Sequence, residues 1–105
     1  MKKWLFADAS NESGLKKKCF LALARMKKNG EPVEFMKNHG SGMSRAGEPD
    51  VFICYRGRFI AVELKDKTEL SEIQKFRLAA WKKAGAVTCV PRTVSDLMEA
   101  LMSCT

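Results

Sequence analysis

Between Glu48 and Lys65 two short arms rich in β-branched and aromatic residues, Val51 to Tyr55 and Arg58 to Lys65, are interrupted at their midpoint by Arg56-Gly57. That pattern predicts a β-hairpin. A turn centred on Arg56-Gly57 fixes the register: facing residue numbers sum to a constant, so Tyr55 faces Arg58, Ile53 faces Ile60 and Asp50 faces Glu63. Side chains alternate along a strand, so Glu63 and Lys65 share a face while Val62 and Leu64 point to the other. Asp50, Glu63 and Lys65 are thereby expected on one patch. Two carboxylates about 5 Å apart at an effective dielectric of about 20 repel by about 3 kcal/mol. A favourable cross-strand pair contributes only about 0.2–1 kcal/mol. Packing alone does not account for such a pair. A divalent cation does, since Mg²⁺ takes oxygen ligands and is held by one or two carboxylates together with water and phosphate. Lys65 can offset part of the charge instead, and two solvated acids at a sheet edge are the other reading.

The rest of the chain is read around this hairpin. After Ser10 an apolar stripe of Leu15, Cys19, Ala22, Leu23 and Met26 predicts a helix to about Asn29, with Glu12 in its first turn and Gly30 as its stop. Pro32 to Asn38 reads as a strand, followed by a glycine-bearing loop from Gly40 to Gly47. Ser71-Glu72-Ile73-Gln74 fits a capping box, opening a helix to Ala84 with Ile73, Phe76, Ala80 and Trp81 as its expected buried stripe. Ala86 to Val90 is a short apolar strand, and Thr93-Val94-Ser95-Asp96 caps a last amphipathic helix carrying Leu97, Met98 and Leu101. The order is α-β-β-β-α-β-α. The β-α-β step that closes it places the last strand parallel to the second hairpin arm.

Composition bounds the class of partner. The 105 residues have room for one domain, spanning 1–105, with a modest core. No apolar run approaches the roughly 20 residues that span a bilayer. The basic start before Asp8 is too short for a secretory leader, so cytoplasmic residence and no membrane partner are expected. Cys19, Cys54, Cys89 and Cys104 form no C-x-x-C pair, and His39 is the only histidine, which excludes a zinc finger. Cys54 and Cys89, inside apolar runs, read as small core residues. Nineteen Lys and Arg against 12 Asp and Glu give a net charge of +7, which favours a polyanion and above all nucleic acid. An acidic patch inside a basic protein is the more telling contrast. Lys37, His39 and Arg45, near the start of the arm that carries Asp50, are candidates to line a phosphate path.

Pro49-Asp50 followed by Glu63-Leu64-Lys65 resembles the PD-(D/E)xK nuclease superfamily. Gly47-Glu48-Pro49-Asp50, Val62-Glu63-Leu64-Lys65, Leu70-Ser71-Glu72-Ile73-Gln74 and Gly85-Ala86-Val87 look more closely like a virus-type replication-repair nuclease (VRR-NUC) domain, over roughly residues 10 to 95. The resemblance implies an α/β, restriction-endonuclease-like core, with a mixed central sheet flanked by helices, and a deoxyribonuclease activity dependent on Mg²⁺ or Mn²⁺. It implies that Asp50 and Glu63 hold the metal, that Glu12 completes its shell, and that Lys65 orients the attacking water or offsets developing charge. Gln74 matches the family glutamine, although its capping role needs no catalysis, and Glu12 can equally favour the helix N-terminus. Chains this short resemble standalone phage-type members, expected to act in the host cytoplasm as homodimers on branched DNA such as four-way junctions. Two other readings stand beside this one. One is a noncatalytic nucleic-acid-binding module whose acids are structural, and the other is an interaction subunit docking through its amphipathic helices.

Overall fold

The computed structural model describes residues 12–38 and 45–104, with the side chains of its first helix from Gly14 onward. Seven elements follow the expected order: α1 (Glu12–Lys28), β1 (Val33–Lys37), β2 (Val51–Tyr55), β3 (Arg58–Val62), α2 (Glu72–Lys83), β4 (Val87–Cys89) and α3 (Val94–Ser103). The four strands form one sheet in the order β1-β2-β3-β4. Its first two pairings are antiparallel, and β3 pairs with β4 in parallel, Ile60 beside Val87 and Val62 beside Cys89. A mixed sheet of this kind needs the helical crossover that α2 supplies.

The hairpin register is the one the turn dictates. Tyr55 pairs with Arg58, Ile53 with Ile60 and Val51 with Val62. Arg56 and Gly57 both take positive φ, 51° and 83°, as a two-residue type I′ turn requires, and its twist matches that of the strands it joins.

Alternation then sorts the side chains. Val51, Ile53, Tyr55, Ile60, Val62 and Leu64 point to one face, where they join Leu15, Cys19 and Leu23 of α1 and Val94, Leu97 and Leu101 of α3 in a single buried core. Phe52, Cys54, Phe59 and Ala61 point to the other face. There α2 packs over the β4 side of the sheet, with the Trp81 ring 5.0 Å from that of Phe52 and 5.6 Å from that of Phe59.

Two expectations are corrected on this second face. Cys54 is exposed rather than a core residue, because it falls on the opposite phase of β2 from Ile53 and Tyr55. Ile73 and Phe76 are 42% and 61% exposed. Ala80 is exposed as well, whereas Trp81 does meet the sheet, joined on that face by Gln74 and by Leu78, the buried residue of the helix. Cys89 is partly buried, and burial, followed by the neighbouring Cys104, pushes its thiol up to about 12.

Candidate functional site

The site forms where the hairpin ladder stops. The paired register ends at Val51–Val62, and beyond it the link between the two strands is made by the side chain of Asp50. The buried Leu64 N–H donates to Asp50 Oδ2 at 2.8 Å. A buried N–H must find an acceptor, and Asp50 supplies it from the end of the neighbouring strand. The second arm meanwhile continues along β4, with Glu63 N donating to Cys89 O at 3.1 Å and Lys65 N to Pro91 O at 3.3 Å. Asp50 is thus fixed from one side by the arm that carries Glu63 and Lys65. Its other oxygen, Oδ1, lies 3.3 Å from Lys16 Nζ on α1.

Glu63 is 2% exposed. A carboxylate so far from water is costly unless hydrogen bonds or cations compensate it, and α2 contributes one such bond: Gln74 Nε2 donates to Glu63 Oε2 at 2.9 Å. The same amide closes the helix cap. Ser71 N donates to Gln74 Oε1 at 2.9 Å, and Gln74 N donates to Ser71 Oγ at 3.2 Å. These contacts fix the amide orientation, since only its oxygen can accept from Ser71 N–H and only its nitrogen can donate to a carboxylate. Gln74 therefore closes the helix cap and at the same time joins the start of α2 to Glu63.

Lys65, the other buried charged side chain, has no ion-pair partner among the described residues. Its alternation with Leu64 directs it to the Glu63 side. Lys37 ends β1 beside Val51, one residue from Asp50, and Asn38 N donates to Asp50 O at 2.8 Å. Arg45 is drawn elsewhere: its guanidinium pairs with Glu48, whose other oxygen accepts from Trp81 Nε1 at 2.9 Å. Glu12 opens α1, but its side chain falls outside the described residues, as does His39. Among the described residues no group of three His, Cys, Asp or Glu side chains forms a ready metal cluster. Asp50 and Glu63 offer two hard oxygen donors, a set that suits Mg²⁺ or Mn²⁺ completed by water and phosphate.

Three participants are not given these contacts by the sequence pattern. Lys16 sits in the run Lys16-Lys17-Lys18, where a solvated face is the ordinary reading. Helical phase was its signal, because Lys16 follows Leu15 of the core stripe and so borders the sheet. Glu48 and Trp81 are 33 residues apart, and no local rule pairs them.

A four-stranded mixed sheet flanked by helices, with two acids and a lysine near the point where the hairpin strands part, is consistent with the restriction-endonuclease-like architecture. Within that class the chain carries the VRR-NUC fold. A solved structure described as a VRR_NUC domain matches it with a TM-score of 0.60 and 27% sequence identity, over 87% of this chain and 97% of that chain. No family model matches the sequence, and no curated protein matches it significantly.

Proposed function

We propose that this chain is a metal-dependent endonuclease that hydrolyses phosphodiester bonds in DNA, with branched DNA such as four-way junctions as its substrate. What supports this reading is Asp50, hydrogen-bonded to the Leu64 N–H of the arm that bears the buried Glu63 and Lys65, inside a VRR-NUC fold. The net charge of +7 supports a polyanionic substrate.

Asp50 and Glu63 hold Mg²⁺ or Mn²⁺ in this scheme. The ion, when bound, supplies a Lewis acid at the phosphate and lowers the pKa of a water. Lys65 brings a fixed positive charge to the oxygens on which negative charge builds, and in a buried setting that charge acts at greater strength than it would in water. Gln74 positions Glu63. Lys37 and His39 meet the flanking phosphates, and Arg45 does so by exchanging Glu48 for a phosphate oxygen. Glu12 is the third acid of the ion's shell. The protein acts as a homodimer, as a domain of the phage type, in the cytoplasm of the host. No described helix is long and apolar enough to cross a membrane.

Labelled four-way junction, flap, duplex and single strand, incubated with the purified chain and Mg²⁺ or Mn²⁺, test the reading. Cleavage of the junction is expected, with abolition by EDTA and a loss of at least about 100-fold in Asp50→Asn and Glu63→Gln while both stay folded. Calorimetry should find Mn²⁺ uptake by the wild type and none by the double variant. Cleavage that survives in Glu63→Gln, or in EDTA, would falsify the proposal.

A further inference from the structure

A groove of about 660 Å³ lies between α1 and the edge strand β1, lined by Phe20, Leu21 and Phe35 and by the three lysines Lys16, Lys17 and Lys37. Its size is within the roughly 300–1,000 Å³ of sites that take small organic groups. The Phe20 and Phe35 rings lie 6.0 Å apart at 38°, and Lys37 Nζ stands 5.7 Å from the centre of the Phe20 ring. Lys16 belongs to the groove and, 3.3 Å from Asp50 Oδ1, to the carboxylate site as well. The two sites are contiguous.

Aromatic rings bordered by ammonium groups suit a ligand that is flat and apolar at one end and anionic at the other. A nucleotide has that form, its base offering a π-face and its phosphate a charge. In duplex DNA both faces of a base are already stacked, so only an unpaired base has a face to give. We propose that this groove holds one unpaired nucleotide of the substrate, its base against Phe20 and Phe35 and its phosphate among Lys16, Lys17 and Lys37. The inference rests on the nuclease reading and deepens it: the branched DNA acted on carries, or opens at its branch point, an unpaired nucleotide next to the phosphate presented to Asp50 and Glu63. The Lys37 ammonium gives up its weak contact with the Phe20 ring to the base and turns to the phosphate, so its charge is retained.

Fluorescence anisotropy in EDTA, where no cleavage intervenes, tests this with the full chain. The two probes are a duplex bearing a short thymidine extension and the same duplex with an abasic extension. The thymidine probe is expected to bind about tenfold more tightly. Phe20→Leu keeps apolar volume where Phe20 leans on the core, and is expected to erase that difference. Lys17→Ala should weaken both probes alike and lower the salt dependence by about one counterion. Equal binding of the two probes by the wild type, or an undiminished difference in Phe20→Leu, overturns the assignment. So does a halved sedimenting mass in Leu21→Glu, which would mean that a second copy fills the groove. The nuclease reading fails separately, by absence of cleavage while the preference for a base persists.

Discussion

At the scale of single residues, Gln74 shows how one side chain can serve a helix and a site together. Its oxygen belongs to the cap and its nitrogen to Glu63, so substitutions can separate the two. Gln74→Ala loses both contacts, and a drop in stability of about 1 kcal/mol is expected from the cap. Gln74→Glu keeps the cap, since a glutamate at this position accepts from Ser71 N–H equally well. It also sets a second carboxylate against a buried one, where like charges 4 Å apart at an effective dielectric of about 20 repel by about 4 kcal/mol. Gln74→Glu should therefore retain the helical circular dichroism of the wild type and lose cleavage by tenfold or more. Equal activity in the two proteins would reduce Gln74 to a cap. The thiols of Cys19 and Cys89 give a second prediction. Burial raises both from the ordinary 9.0 to about 12. An acid whose folded pKa is raised keeps its share of stability below the unfolded value and loses it as pH climbs to the folded one. The urea midpoint should thus fall between pH 9 and pH 12, and fall less steeply in a Cys19→Ala, Cys89→Ala double variant.

At the scale of elements, the hairpin was the most legible part of the chain, because one turn fixes every pairing on both arms. Both capping boxes were legible for a similar reason: Ser71 to Gln74 and Thr93 to Asp96 are complete within four residues. The buried face of α2 was not. Apolar spacing selected Ile73, Phe76 and Ala80, which are exposed, along with Trp81, which does pack on the sheet, whereas polar bonds from Gln74 to Glu63 and from Trp81 to Glu48 hold the helix over long sequence separations. Of the candidate site, the strand register as far as Val51–Val62 was legible, but the contacts that α1 and α2 contribute, Lys16 to Asp50 and Gln74 to Glu63, depend on packing that no local pattern encodes. The glycines at the two turns of this region give a graded prediction. A Cβ at Gly57 (φ +83°) meets nothing within 4 Å, so Gly57→Ala should cost only the left-handed backbone conformation, about 1–2 kcal/mol. At Gly47 (φ +77°) a Cβ would lie 2.9 Å from the Ile73 backbone carbon and 2.8 Å from its side chain. Gly47→Ala must displace either α2 or the loop that leads to Glu48 and Asp50. It should lower the urea midpoint more than Gly57→Ala and, unlike Gly57→Ala, reduce cleavage.

At the scale of the whole molecule, the sheet is covered unequally. One face is sealed by α1 and α3, while α2 covers the other toward β4 and reaches β2 and β3 through Trp81. An antiparallel sheet that leaves one face to water ordinarily turns polar residues outward there. This one presents Met36, Phe52, Cys54 and Phe59 in adjacent rows, Met36 beside Phe52 and Cys54 beside Phe59, with Met36 63% and Phe59 40% exposed. A contiguous apolar patch of this kind marks an association surface. The homodimer proposed above would form through this face as an isologous pair about a twofold axis. Glu34 at its margin pairs with Lys27, whose hydrogen bonds hold the Glu34 carboxyl below the usual carboxylate range and keep this border charged and wet. Phe59→Arg places a cation in the middle of the face without touching the core on the other side of β3. The expected result is that the wild type sediments at twice the 11.8 kDa chain mass at micromolar concentration, and that Phe59→Arg sediments as a single chain with a melting temperature changed by only a few degrees. A wild type that stays monomeric while cleaving four-way junctions at full rate would show that this face has some other occupant and that one carboxylate site suffices.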